Sequence, residues 1–345
     1  MIRKYHVYIM PSKRHKTSKR HKTRKTKKRL CANFLEGTKW DNASIETFDN
    51  NQPHMRKGKQ IQLSDFKTGV CYKGHKIKIS NKLGEGTYGI VYSGSYDENQ
   101  ITIKIPKIPS KIKDKKGYKQ DHYNETVIHS KLYCLPKSVG IPNMYFFTKY
   151  IDSLNNTQYL VAMKPLTNTL SYFLKTELIK HKSHDVQNKL IKEMFLSIAD
   201  LIELYQLNLE FHHRDLHRGN IMYKKINNYT YEWYLIDFGM SVIKTPSSII
   251  NGHETRLYAK YTNSNFGHDL RMLLVSCSMY IPTYITGYKK YIDLQSRLLQ
   301  NIVNNTSIEW VVNKSLLFHM CYYESFKVQS PETTPVNFKN FITNL

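Results

Sequence analysis

Two short runs of residues in the middle of the chain constrain its fold and chemistry most. The first is residues 213–220 (HRDLHRGN), and the second is residues 237–239 (DFG). Asp215 and Asn220 lie five positions apart, and Asp237 follows seventeen residues after Asn220. In phosphoryl transfer, one carboxylate receives the proton of the attacking hydroxyl, while a carboxylate and an amide hold Mg²⁺. The ordered pair of runs therefore predicts Mg²⁺-dependent phosphoryl transfer from ATP.

A glycine-rich segment lies upstream, at residues 83–91 (LGEGTYGIV). In dinucleotide-binding proteins such glycines lead into a helix. Here β-branched and aromatic residues follow, then a polar turn at residues 97–100 and a second apolar stretch at residues 101–105. This strand-turn-strand pattern predicts a hairpin folded over phosphates, whose N–H groups can approach the ligand because glycine has no Cβ.

Lys104 and Glu125 are predicted to form an ion pair beside those phosphates. Lys104 lies twenty residues after Gly84, and Glu125 follows twenty-one residues later in a segment whose apolar positions fit one helical face. A lone lysine in a strand is more often a solvated edge residue. The motifs on either side favour a functional pair, because a lysine beside phosphates and a helix glutamate are both needed in such enzymes.

With these motifs the chain resembles a eukaryotic-type protein kinase over about residues 77–330. The resemblance implies a bilobed α+β fold, with a small antiparallel-sheet lobe at about residues 72–163 and a larger helical lobe at about residues 167–345. The kinase domain as a whole would run from 77 to 345. It also implies an enzyme that uses ATP and Mg²⁺ to phosphorylate serine or threonine hydroxyls of protein substrates.

The resemblance also assigns roles to individual residues. The ATP-binding residues would be Leu83, Gly84, Glu85, Gly86, Thr87, Tyr88, Gly89, Ile90, Val91, Lys104, Met163 as gatekeeper, and Leu166, whose backbone would bond adenine together with that of Lys164. The catalytic residues would be Asp215 as the base, Lys104 with Glu125, and Arg218. The Mg²⁺ ligands would be Asn220 and Asp237.

Some positions depart from the pattern of protein kinases. His217 stands where serine/threonine kinases usually have a lysine, so Arg218 is expected to supply that charge. Lys260 replaces the glutamate that normally anchors the activation segment, whereas Asp269 matches the carboxylate that braces the catalytic loop. Tyrosine specificity stays open as well, although neither arginine typical of tyrosine kinases is present.

Two alternatives to a protein kinase remain. His217 and Gly219 also fit small-molecule phosphotransferases of the aminoglycoside and choline kinase type. The complete glycine-rich hairpin speaks against that class, as does Arg214, the position from which many protein kinases sense a phosphorylated activation segment. The second alternative is a nucleic-acid-tethered, kinase-like binding protein.

The N-terminal segment is strongly basic. Residues 1–60 carry a net charge of +13 out of +25 for the whole chain, and residues 12–29 contain eleven Lys or Arg in an imperfect six-residue repeat. Such a sequence cannot bury a core, so we expect a disordered tail. It could serve in nuclear targeting or bind nucleic acid and other polyanions without reading sequence, because it releases counterions from phosphate backbones.

The remaining features bear on location and on the large lobe. No segment predicts a signal peptide or a membrane span, since the apolar stretch 270–285 is interrupted by Arg271 and Pro282 and is expected to be a buried helix. Five cysteines without paired spacing are typical of a reducing compartment, the cytoplasm or nucleus. The composition resembles that of proteins from large DNA viruses or AT-rich protists, so a virion or virus factory is a further possible location. Apolar spacing predicts a long helix over residues 190–205, and residues 221–236 are expected to form a hairpin with its turn at residues 227–228.

Overall fold

A computed structural model describes residues 63–72, 75–86, 89–107, 115–151, 157–246, 248–252, 267–278, 280–285, 287–304 and 331–345. The basic segment 12–29, Thr87, Tyr88 and the region of Lys260 lie outside these ranges. Expectations about them remain predictions.

The N-terminal part of the described chain is a six-stranded antiparallel sheet in the order β1-β2-β3-β4-β6-β5. Its strands are β1 (Val70–Tyr72), β2 (His75–Glu85), β3 (Gly89–Tyr96), β4 (Asn99–Pro106), β5 (Met144–Ile151) and β6 (Thr157–Met163). Strand β4 alternates as a half-buried strand should, with Ile101, Ile103 and Ile105 facing the core. The polar turn between β3 and β4 bends at Asp97, whose φ is +52° and whose carboxylate accepts from the backbone N–H of Lys76.

A short helix and a strand begin before residue 72, the approximate start that the sequence suggested for the small lobe. Helix α1 (Leu63–Thr68) precedes β1, and its Phe66 is fully buried against Ile77, Ile79 and neighbouring strands. A six-residue helix carries too little periodicity to be predicted from sequence. It nevertheless closes one side of the sheet, and so it belongs to the small lobe.

Helix α2 (Lys115–Cys134) lies between β4 and β5 in the sequence and packs against the helical part of the chain. Its residues Val127, Ile128 and Leu132 join the main hydrophobic core, which continues into the helical part of the chain. Cys134 at its end is disulfide-bonded, which the cysteine spacing did not predict, whereas Cys277 is free and buried.

The C-terminal part is mainly helical. It contains α3 (Leu170–Tyr172), which continues as a π turn (Phe173–Glu177) and a 3-10 turn (Leu178–Lys180), then α4 (His184–Leu209), α5 (His268–Ser278), α6 (Tyr288–Asn304), a 3-10 turn (Pro331–Thr333) and α7 (Pro335–Thr343). Short strands pair between these helices: β7 (Asn168–Thr169) with β8 (Ile221–Asn227), β8 with β9 (Thr230–Leu235), and β10 (Val242–Thr245) with β11 (Ser248–Asn251). The bilobed α+β fold is confirmed.

Helix α4 is the long helix that the apolar spacing predicted. It begins after Ser183, whose hydroxyl accepts from the N–H of Val186. It ends at Glu210, which adopts a left-handed conformation with φ +43°. This turn sends the chain directly into residues 213–220, so the helix positions the catalytic loop.

The helix expected over residues 270–285 is shorter than predicted. Helix α5 ends at Ser278, and a turn in which Ile285 donates to the carbonyl of Pro282 follows it. A proline cannot donate within a helix, so the run continues as a turn in which Ile281 and Ile285 are buried while Tyr284 is exposed. Within the described ranges, no helix combines the length and apolar character that crossing a membrane requires.

Candidate active site

The ammonium of Lys104 lies between two carboxylates. Strand β4 is central in the sheet, and Lys104 pairs with Val91 on one side and Val161 on the other. Its Nζ forms an ion pair with Glu125 of α2 and lies 2.8 Å from Oδ1 of Asp237. Burial alone would lower the pKa of Lys104, but the charges of Asp237 and Glu125 outweigh it and raise this pKa, so the lysine stays charged. The ion pair predicted from sequence is present.

The glycine-rich turn is packed directly on this lysine. Gly86 donates its N–H to the carbonyl of Gly89 at 2.8 Å, which closes the turn between β2 and β3. A Cβ on Gly89 would lie 3.1 Å from Cε of Lys104, so a larger residue would press on the lysine. Glu85 instead forms ion pairs with Lys82 and Lys107, which hold its pKa at about 2. Its side chain braces the turn and does not line the cavity.

A cavity of about 540 Å³ separates the sheet from the helical lobe. Of the residues expected to bind ATP, it is lined by Leu83, Gly84, Val91, Lys104, Met163 and Leu166. Lys164 also lines the cavity, and its N–H donates to the carbonyl of Asn143 at 2.8 Å. Sequence reasoning missed Thr102, Met222 and Ile236. The sequence could have indicated them, because each lies within two residues of a motif residue, on a strand or at its end.

The catalytic loop is held from below by Asp269 of α5. The two carboxylate oxygens of this fully buried residue accept from the backbone N–H groups of His213 and Arg214, both at 2.8 Å. His213 in turn donates from Nε2 to the carbonyl of Ile236 at 2.9 Å, and burial lowers its pKa to about 4, so it is neutral. These bonds join the catalytic loop to the segment that leads into Asp237.

Asp215 and Asn220 are brought together as the motif spacing predicts. The side-chain amide of Asn220 donates to Oδ2 of Asp215 at 2.9 Å and to its backbone carbonyl at 3.0 Å. Burial, followed by the charge of Asp237, raises the pKa of Asp215 to about 7. The charge of Lys104, which forms an ion pair with Asp237, acts in the opposite direction and lowers the pKa of Asp215.

His217 faces the other oxygen of Asp215. Its Nδ1 accepts the N–H of Gly219 at 2.9 Å, so the proton of the neutral ring resides on Nε2. That Nε2 lies 3.6 Å from Oδ1 of Asp215. A neutral imidazole therefore occupies the position at which serine/threonine kinases usually have a charged lysine.

The Arg218 side chain contacts α5 and the turn that follows it. Its guanidinium donates to the Ser276 carbonyl at 2.8 Å and to the Tyr280 hydroxyl at 3.0 Å, and it stacks over the Tyr280 ring at 4.1 Å. Its backbone N–H also donates to the Ser276 hydroxyl. The side chain fastens the predicted catalytic loop to α5, and the catalytic role of Arg218 remains a prediction.

Phe238 packs the turn at residues 237–239 against α2 and the loop at residues 213–220. It is 1% exposed and packs with its ring centroid 5.2 Å from that of His129 on α2 and 5.7 Å from that of His213. Asp237, with φ +63°, adopts a backbone conformation that is rare for a non-glycine residue. The packing of Phe238 stabilises this conformation and turns the Asp237 carboxylate toward Lys104.

Fold and site together define a two-lobed, kinase-like protein in which Lys104, Glu125 and Asp237 meet beside the cavity between the sheet and the helices. Residues 77–260 match the family model of the protein kinase domain. The chain belongs to the protein kinase family.

Two curated relatives are similar to part of the chain. One, from Acanthamoeba polyphaga mimivirus, is named as a candidate serine/threonine-protein kinase and is 27% identical over 151 residues, which cover 43% of this chain and 24% of the relative. The other, from Dictyostelium discoideum, is named in similar terms and is 26% identical over 179 residues, which cover 50% of this chain and 17% of the relative. The chain thus spans only a minor part of each relative's length.

Proposed function

We propose that this protein transfers the γ-phosphate of ATP to serine or threonine hydroxyls of protein substrates, with Mg²⁺. The observation that carries the proposal is the position of Lys104 between Glu125 and Asp237, next to the bonded pair of Asp215 and Asn220. An assembled lysine-glutamate pair and a correctly placed metal-binding aspartate are both required for transfer in this family.

The residues present fit a magnesium ion. The Asn220 nitrogen is used by Asp215, which leaves the amide oxygen as a ligand, and the Asp237 side chain is 40% exposed. Burial and then the charge of Asp237 raise the pKa of Asp215, and a cation here would offset the second of these causes. Mg²⁺ commonly takes one or two protein ligands and completes its shell with phosphates and water. This agrees with the finding that no cluster of three or more His, Cys, Asp or Glu suited to a metal exists in the described part of the chain.

Each residue then has a defined task. The backbone of the glycine-rich turn and the ammonium of Lys104 hold the phosphates, and Glu125 keeps the lysine in place. Asp215 orients the substrate hydroxyl and receives its proton through Oδ1, because Oδ2 is bonded to Asn220. Bound Mg²⁺ would neutralise charge on the β- and γ-phosphates.

Serine/threonine specificity rests on the names of the two relatives and on the absence of the arginines typical of tyrosine kinases. The relatives come from a large DNA virus and a protist, the two sources that the composition suggested. The basic residues 12–29 are proposed to bind nucleic acid or other polyanions without sequence preference.

The test uses the full chain with γ-labelled ATP and Mg²⁺. A panel of proteins is offered beside aminoglycosides and choline, and label is expected on serine or threonine of proteins only. Asp237→Asn and Lys104→Met should each lower the rate by orders of magnitude while thermal unfolding stays normal. Lys78→Met is the matched control, since Lys78 is exposed on β2 of the same sheet. Label on a small molecule alone, or a fully active Asp237→Asn protein, would contradict the proposal.

A further inference from the structure

The strands that follow the DFG motif form a hairpin that returns to the catalytic loop. Strands β10 and β11 pair in register from Val242 opposite Asn251 to Thr245 opposite Ser248. Val242 also exchanges two backbone hydrogen bonds with His212, at 2.9 and 3.0 Å. The hairpin is therefore fixed to the start of the catalytic loop, and its last residue, Asn251, lies beside that anchor.

Asn251 contacts two buried groups that belong to different parts of the site. Its side-chain oxygen accepts from Nη1 of Arg214 at 3.3 Å. Its backbone carbonyl accepts from the side-chain amide of Asn124 at 2.7 Å. Arg214 is 4% exposed and Asn124 is 6% exposed. Asn124 immediately precedes Glu125 on α2, so one residue links the ion-paired helix to the catalytic loop.

The neighbouring glycine brings a third part of the site to the same place. A Cβ on Gly252 would lie 2.6 Å from the carbonyl oxygen of Gly239 and 2.7 Å from that of Phe238. The Gly252 N–H donates to Ser241 at 2.7 Å. The end of the hairpin is thus packed directly on the DFG turn. Helix α2, the catalytic loop and the metal-binding turn all meet at residues 251–252.

Arg214 is buried and already bonded. It is 4% exposed, and its guanidinium donates to the side-chain oxygen of Asn251. The backbone of Arg214, with φ +63°, is itself fixed by Asp269. The neutral side-chain oxygen of Asn251 thus already occupies a position next to the charged guanidinium of Arg214.

We propose that Asn251 is a positioning residue that holds α2 and the catalytic loop in their assembled arrangement, so that the enzyme is active without phosphorylation of the chain. This inference rests on the proposed kinase function. The side-chain oxygen of Asn251 bonds Arg214 while its backbone carbonyl bonds α2, and together they hold Glu125 close to Lys104.

Three variants test the side-chain contact. Asn251→Ala removes the oxygen that Arg214 bonds and should lower kcat/KM by about tenfold on a peptide. Asn251→Asp keeps an acceptor for Arg214 and should stay within about threefold of the parent protein. Ile249→Ala, at an exposed position of the same hairpin, is the matched control and should be unchanged. Thermal unfolding is recorded for each variant to show that it folds.

Two further measurements separate positioning from general stability. Amide hydrogen exchange of the ATP-free protein should increase in α2 of Asn251→Ala and stay unchanged in α4. The parent protein, treated with phosphatase and shown by mass to carry no phosphate, should keep its rate within about twofold. If neither the parent protein nor any variant transfers phosphate, the proposed function fails. Amide hydrogen exchange in α2 would still decide the role of Asn251.

Three results would overturn the inference. The first is Asn251→Ala with normal rate and normal exchange in α2. The second is a folded Asn251→Asp as impaired as Asn251→Ala, because the loss would then not come from the acceptor. The third is loss of activity on dephosphorylation.

Discussion

At the scale of single residues, the imidazole of His217 contacts both Gly219 and Asp215 of the predicted catalytic loop. The ring of His217 accepts from Gly219 and directs its Nε2 proton toward Asp215. A Cβ on residue 219 would lie 2.6 Å from Cε1 of that ring. The φ of Gly219 is not positive, so the backbone itself tolerates alanine. Space for His217 is thus the reason for glycine here.

This argument predicts that Gly219→Ala lowers kcat by pushing His217 away from Asp215. A loss of about ten- to a hundredfold is expected, because small displacements of catalytic groups are costly. In a His217→Ala background the clash disappears, so the same substitution should add less than about threefold. Steady-state kinetics of the four proteins measure this coupling. Equal losses in both backgrounds would show that Gly219 acts independently of His217.

At the scale of secondary-structure elements, Arg218 connects the catalytic loop to α5. Arg218→Lys keeps the charge but cannot reproduce the planar guanidinium that bonds Ser276 and Tyr280. Both Arg218→Lys and Arg218→Met should therefore lower the free energy of unfolding by about 1–3 kcal/mol, measured by urea denaturation. Arg297→Lys, on an exposed position of α6, is the control. A stable and fully active Arg218→Lys beside an inactive Arg218→Met would support the charge-supplying role.

The elements that sequence predicted are those whose signal is local. The spacing of Lys104 and Glu125 follows from a strand and a helix, each with its own apolar pattern, and the hairpin of β8 and β9 is marked by its polar turn. The orientation of the Arg218 side chain is set by Ser276 and Tyr280, which lie 58 and 62 residues further along the sequence. Asn251 likewise depends on contacts across 37 and 127 residues. Such contacts leave no periodic trace, so the sequence indicated neither the partners of Arg218 nor those of Asn251.

At the scale of the whole molecule, α1 is the first element of the kinase fold that the structure describes. Phe66 on this helix is fully buried among Ile77, Ile79 and Ile101. The charge of residues 12–29 lies more than thirty residues before it. A boundary between a polyanion-binding segment and the folded enzyme is therefore expected between residue 29 and the start of α1 at Leu63.

Two truncations test that boundary. Removal of residues 1–60 should leave the unfolding transition and the rate on a small peptide unchanged within about threefold, because α1 is kept. Removal of residues 1–69 also deletes Phe66 and should cost about 3–5 kcal/mol of stability, as should Phe66→Ala in the full chain. Binding of the full chain to heparin or DNA should fall steeply with salt, and the shorter truncation should abolish most of it. Unchanged polyanion binding after removal of residues 1–60 would place the basic surface on the lobes, which carry the remaining net charge of +12.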